Sequence, residues 1–118
     1  MKVFVTGVAG QLGHDVMNEL YKRGIEGIGT DIAETYSGIP DETAVTRMPY
    51  VQLDITDAEA VANVISDIHP DVVVHCAAWT AVDLAEEAEN QDKVYAINAA
   101  GTESIAKACK KTDSKMIY

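Results

Sequence analysis

Cysteine, basic residues and long apolar runs are all scarce in this 118-residue sequence, and each shortage removes a class of protein. The two cysteines, Cys76 in an apolar run and Cys109 in a helical pattern, have no Cys-x-x-Cys spacing and no histidine at ligand distance. They are expected to be small buried hydrophobes rather than metal or redox groups. No stretch approaches the ~18 apolar residues that a membrane span needs. The apolar run behind Met1 is too short for a signal peptide and meets Gly7 at once, so the cytoplasm is the expected compartment. Nine Lys and Arg stand against nineteen Asp and Glu, a net charge of -10. That field repels phosphate backbones and anionic lipid surfaces, so neither nucleic acid nor a membrane is expected as a partner.

What is present is ordinary globular material, with 47% hydrophobic and 24% charged residues. The length suits one domain, residues 1–118, which buries roughly two-thirds of its unfolded surface and holds little in reserve. Lys2 to Thr6 is a nearly continuous apolar run, as in a strand buried on both faces. From Gln11 to Arg23 the residues Leu12, Val16 and Leu20 recur at steps of four, predicting a helix with that stripe on the core and Gly24 as its C′ stop. Ile25 to Thr30 reads as a second strand ending beside Asp31, and residues 32–49 as a long surface connection. Tyr50 to Leu53 is a third strand. Thr56 with Glu59 has the capping-box spacing for a helix carrying Val61, Val64, Ile65 and Ile68, stopped by Pro70.

Val72 to Ala78 is apolar enough for a central strand. The acidic patch Asp83 to Asp92 reads as a solvated helix start, and no metal site is expected there. Gln91 to Lys111 is the longest helical pattern, with Val94, Ile97, Gly101, Ile105 and Ala108 on one face. Lys115 to Tyr118 opens a fifth strand. The alternation predicts an α/β fold, a doubly wound parallel sheet of order 3-2-1-4-5 with right-handed crossovers, binding its ligand where the first and fourth strands part.

Chemistry concentrates in Thr6-Gly7-Val8-Ala9-Gly10-Gln11-Leu12-Gly13, a G-x-x-G-x-x-G between a predicted strand and a predicted helix. Gly7 permits the tight turn, Gly10 lets a pyrophosphate approach the backbone, and Gly13 lets the helix pack against the sheet. The N–H groups of Gln11 and Leu12 are then free for phosphates. Asp31, at the end of the second strand, stands where a carboxylate accepts hydrogen bonds from an adenosine ribose. Its charge repels the 2′-phosphate of NADP, which favours NAD over NADP. Asp54-Ile55 either meets an adenine or only starts a turn. Ala77-Ala78 would let a cofactor lie against backbone, and Trp79 either stacks at the rim or packs. Asn98 interrupts the apolar face of the last helix, where an amide must be hydrogen-bonded, either to strand backbone or to water near the reacting centre.

Together with Thr80-Ala81-Val82-Asp83, Ala85-Glu86-Glu87 and Ala96-Ile97-Asn98-Ala99, these residues resemble the extended short-chain dehydrogenase/reductase family over nearly the whole chain. The Ala77 to Asp83 run is most similar to its dTDP-4-dehydrorhamnose reductase branch. The resemblance implies an NAD(P)-binding Rossmann fold. It implies that Gly7, Gly10, Gln11, Leu12 and Gly13 hold the pyrophosphate, Asp31 the ribose, Asp54 and Ile55 the adenine, and Ala77, Ala78 and Thr80 the nicotinamide side. Asn98 would be the family's active-site helix asparagine, in a supporting role. The family moves hydride from NAD(P)H to the 4-keto group of a dTDP-deoxyhexulose in dTDP-L-rhamnose synthesis, with a Tyr-x-x-x-Lys pair serving the proton.

That pair is missing. Four places beyond Tyr21, Tyr36, Tyr50 and Tyr95 stand Ile25, Pro40, Asp54 and Ala99, and the family's Ser/Thr after the fifth strand is absent too. The expectation is a Rossmann domain truncated at its fifth strand and lacking its substrate domain. It would bind dinucleotide without turnover, meet a sugar nucleotide only in a longer protein, and self-associate through an unfinished sheet edge. A sugar-nucleotide epimerase or dehydratase, and a non-catalytic regulatory module, are the alternatives.

Overall fold

The structure is a computed structural model, and it describes residues 1–35, 48–76 and 88–117. Five parallel strands, β1 (Lys2–Thr6), β2 (Glu26–Asp31), β3 (Tyr50–Gln52), β4 (Val72–His75) and β5 (Lys115–Ile117), form one sheet of order β3-β2-β1-β4-β5. Among the described residues three helices connect them: α1 (Gln11–Lys22), α2 (Ala58–Ile68) and α3 (Ala88–Thr112). The doubly wound order expected from the alternation is therefore the order found.

Strand alternation divides the core in two. Val3 and Val5 of β1 point to one face, where Val8 of the following loop and Met17 of α1 cover them. Phe4 points to the other and meets Val61, Ile65, Ile105, Ala108 and Cys109 from α2 and α3. Each such side chain, once fully buried, contributes roughly 1.5–3 kcal/mol, so β1 is anchored from both faces, as its unbroken apolar run demands. At the outer edge β5 is thinly covered, with Lys115 exposed and Ile117 49% exposed. Among the described residues no helix is long and apolar enough to cross a membrane.

Three local expectations need correction. The stripe of α1 facing the sheet is Gly13 and Met17, flanked by half-buried Val16 and Leu20, while Leu12 is 65% exposed. The helix makes its closest approach at Gly13, where no side chain holds it off, and this rotates Leu12 outward. The N-cap of α2 is Asp57 rather than Thr56: its carboxylate accepts from Ala60 N at 3.1 Å. Thr56 is already engaged, because Asp54 Oδ1 accepts from its backbone N–H at 2.9 Å and its hydroxyl at 2.6 Å. Cys109 is buried as expected, whereas Cys76 is only half-buried. Burial pushes both thiols up and keeps them protonated.

Gly24 ends α1 in the left-handed region at φ 66°, as expected of a C′ glycine. α2 ends on His69, also left-handed at φ 50°, followed by Pro70.

Candidate functional site

The carboxyl ends of β1, β2 and β4 meet at one end of the sheet, beneath the glycine loop. Gly7 leaves β1 at φ 74°, a conformation that a side chain resists. The loop is tethered at once to β2, since Gly7 N and Val8 N both donate to Thr30 O, at 2.9 and 3.3 Å. Gly10 N donates to Gly7 O at 3.1 Å, and Gly10 then serves as the N-cap of α1.

This helix start is unguarded. No side chain caps it and its first turn holds no acidic residue. The N–H groups at Gln11 and Leu12 therefore carry the positive end of the α1 dipole with no acidic residue in the helix's own first turn. Gln11 and Leu12 are both exposed.

The three glycines serve different ends. A Cβ on Gly13 would overlap Gly7 O and stand 2.7 Å from Gly7 C and 2.8 Å from Val8 Cα, so the helix can lie this close only without one. A Cβ on Gly10 would meet nothing nearer than Gly7 O at 3.5 Å, an ordinary contact, and the φ of −86° there suits any residue. Among the described residues nothing requires glycine at position 10.

Asp31 ends β2 with both carboxylate oxygens engaged: Oδ2 accepts from Ala9 N at 2.9 Å and Oδ1 from Ile32 N at 2.8 Å. The glycine loop and the end of β2 are thus one unit, joined through an acidic group. From β3, the Tyr50 hydroxyl donates to Ala33 O at 2.6 Å and Gln52 Nε2 to Ile32 O at 3.1 Å, which holds the backbone beyond Asp31 in place. Burial, and next the negative charge of Asp31, push the Tyr50 phenol up.

Asp54 is exposed, and its carboxyl is held below its usual range by the Thr56 hydroxyl first and the Thr56 backbone N–H second. The turn foreseen as one of its two roles is therefore formed. Ile55 lies in the core at 9% exposure, directly under Gly101 of α3, where a Cβ would stand 2.6 Å from its Cδ1. Asn98 is half-buried on α3. Ala77, Ala78, Trp79 and Thr80 lie outside the described residues.

Sequence reasoning passed over His75, the last residue of β4. Its Nδ1 is 2.8 Å from Thr6 Oγ1 and its Nε2 is 3.2 Å from Thr102 Oγ1. Thr6 Oγ1 also accepts from Cys76 N at 3.0 Å. The only signal in the sequence was a polar residue ending the run Val72-Val73-Val74. Burial pushes this imidazole below its ordinary value, and its two recorded partners are uncharged hydroxyls. The folded state therefore binds the proton less tightly than the unfolded chain, and stability is lost as pH falls through about 6.5. Melting temperatures measured from pH 7.5 to 5.5 should drop further for the wild type than for His75→Gln. Equal drops would remove His75 as the source.

Among the described residues, no three His, Cys, Asp or Glu side chains group as metal ligands.

The RmlD substrate binding domain family matches residues 1–118, the entire chain. A dTDP-4-dehydrorhamnose reductase of Streptomyces griseus is 37% identical over 107 residues, spanning 90% of this chain and 28% of that protein. The crystal structure of the Bacillus anthracis dTDP-4-dehydrorhamnose reductase in complex with NADP superimposes with a TM-score of 0.76 at 32% identity, covering 99% of this chain and 35% of that one. UDP-glucose 4-epimerase of Thermus thermophilus in complex with NAD gives 0.83 at 26% identity, covering 100% and 37%. The chain thus spans about a third of the length of these relatives.

Proposed function

Because the chain belongs to the RmlD substrate binding domain family, we propose that residues 1–118 form the dinucleotide-binding domain of a sugar-nucleotide reductase. Its overall reaction would pass hydride from NAD(P)H to the 4-keto group of a dTDP-deoxyhexulose. The observation that carries this reading is Gly10: among the described residues no contact, and no backbone angle, asks for glycine there, while a pyrophosphate approaching the uncapped N-terminus of α1 would.

On this reading the loop Gly7 to Gly13 and the N–H groups of Gln11 and Leu12 hold the pyrophosphate. Asp31 takes the adenosine ribose while keeping Ala9 in place. Asp54 faces the adenine and Ile55 supports it from below. Ala77, Ala78 and Thr80 line the nicotinamide side. When bound, the nicotinamide supplies the hydride. The chain's own part is to orient the dinucleotide, since residues 1–118 contain no Tyr-x-x-x-Lys pair to serve the proton. Binding without turnover is the expected behaviour of this chain by itself. A sugar-nucleotide 4-epimerase is the second reading, favoured by the 0.83 superposition. It would use the same crevice and differ in the sugar.

Calorimetric titration with NADH and, separately, NADPH tests the proposal. Both should bind, NADH more tightly, because the Asp31 carboxylate repels a 2′-phosphate. Asp31→Ala should weaken NADH, through loss of the ribose contact and of the Ala9 tether, and should narrow its advantage over NADPH by about tenfold, ~1.4 kcal/mol. An unchanged ratio would remove Asp31 from the ribose. No heat with either ligand, from a chain shown by circular dichroism to be folded, would overturn the proposal.

A further inference from the structure

We infer that His75 is a positioning residue for the nicotinamide half of this crevice, tying α3 through Thr102 to the joined ends of β1 and β4. The inference rests on the dinucleotide reading and adds a residue to it.

Direction comes from the fold. With the pyrophosphate at the loop after β1 and the adenosine on the β2 side of it, the other half of the ligand must run over β4, and His75 is the last residue of that strand. The pairing of Thr6 with His75 is also the last rung of the β1–β4 ladder. Both side chains lie on the α3 face, by alternation from Phe4 and Val73, which are fully buried in the core below. The imidazole bridges two hydroxyls, 2.8 Å to Thr6 on one side and 3.2 Å to Thr102 on the other. Residues remote in sequence thus form one polar layer at the carboxyl ends of β1 and β4.

Packing alone does not call for this arrangement. The ladder already sets the register of β1 on β4, and Ile105, Ala108 and Cys109 already seat α3 in the core. A neutral ring bonded at both nitrogens does what an apolar side chain of similar size would not: it fixes the distance and rotation of α3 at one point. Thr102 lies four residues, one turn, beyond Asn98, so the two share a face of the helix. A tie at Thr102 therefore sets where Asn98 stands relative to the end of β4.

Thr102→Val removes the hydroxyl and keeps the shape; Thr102→Ser keeps the hydroxyl. ADP, which carries adenosine and pyrophosphate alone, and NADH are the two probes. Thr102→Val should bind ADP within about twofold of wild type and NADH about five- to tenfold more weakly, the range expected for one hydrogen bond, and Thr102→Ser should restore NADH. His75→Gln, which cannot span both hydroxyls, should show the same selective loss. Equal weakening of ADP and NADH would reduce the tie to a structural contact, and unchanged NADH affinity in both variants would overturn it outright. A wild-type chain that binds neither probe would instead overturn the dinucleotide reading beneath it.

Discussion

Gly10→Val is expected to abolish measurable NADH binding while leaving the protein folded. The side chain would enter at an exposed N-cap whose backbone, at φ −86° and ψ 168°, is already extended, and its Cβ would meet Gly7 O at an unstrained 3.5 Å. Glycine is only a moderate N-cap, so an apolar replacement there should cost about 1 kcal/mol or less. On the ligand side the isopropyl group would stand where a phosphate has to come within ~3 Å of the Gln11 and Leu12 N–H groups. Affinity should fall at least about a hundredfold, ~2.7 kcal/mol. Titration of the variant beside a circular dichroism melt separates the two effects. Wild-type affinity in a folded variant would dismiss the glycine loop as the pyrophosphate site.

Gly13→Ala should do the reverse. Its methyl group would press on Gly7 O, Gly7 C and Val8 Cα, all main-chain atoms, and the Gly7 turn at φ 74° leaves them no easy direction to yield. Either α1 lifts from the sheet, unseating the fully buried Met17 and Val8, or the loop opens. Overpacking of this sort costs about 3 kcal/mol or more, a large part of the 5–15 kcal/mol that holds a typical domain folded. For a chain of this size the melting temperature should fall by roughly 10–20 °C. A melt within a degree or two of wild type would show that α1 has room to spare.

The division of labour among those glycines shows where reading from sequence succeeds and where it stops. The strand order, the loop and the placing of Asp31 at the end of β2 all follow from local pattern: apolar runs, a glycine spacing, and a carboxylate at the right remove. Those signals lie within a few residues of one another. Leu12 was misassigned because apolar periodicity assumes that contact is made by side chains, whereas α1 touches the sheet through a residue that has none. Thr56 was displaced as a cap because its hydroxyl and N–H are taken by the Asp54 carboxylate, leaving Asp57, itself a favoured N-cap residue, to accept from Ala60 N. The role of Ile55 in the core depends on its meeting Gly101 across the chain. His75 was invisible for the same reason on a larger scale, since its partners Thr6 and Thr102 become neighbours only after the sheet and α3 have assembled.

The same topology governs how the protein must come together. β1 sits at the centre of the sheet, with Val3 paired to Gly27 on one side and to Val72 on the other. During synthesis from the amino end, the most deeply buried strand of the domain therefore emerges well before its second partner, an interval on the order of ten seconds at ordinary ribosomal rates. Parallel pairing over such separations gives a high contact order and slow folding. Until β4 arrives, the hydrogen-bonding edge of β1 that it will cover stands open on the nascent chain, and there the protein is most exposed to aggregation and most in need of a chaperone.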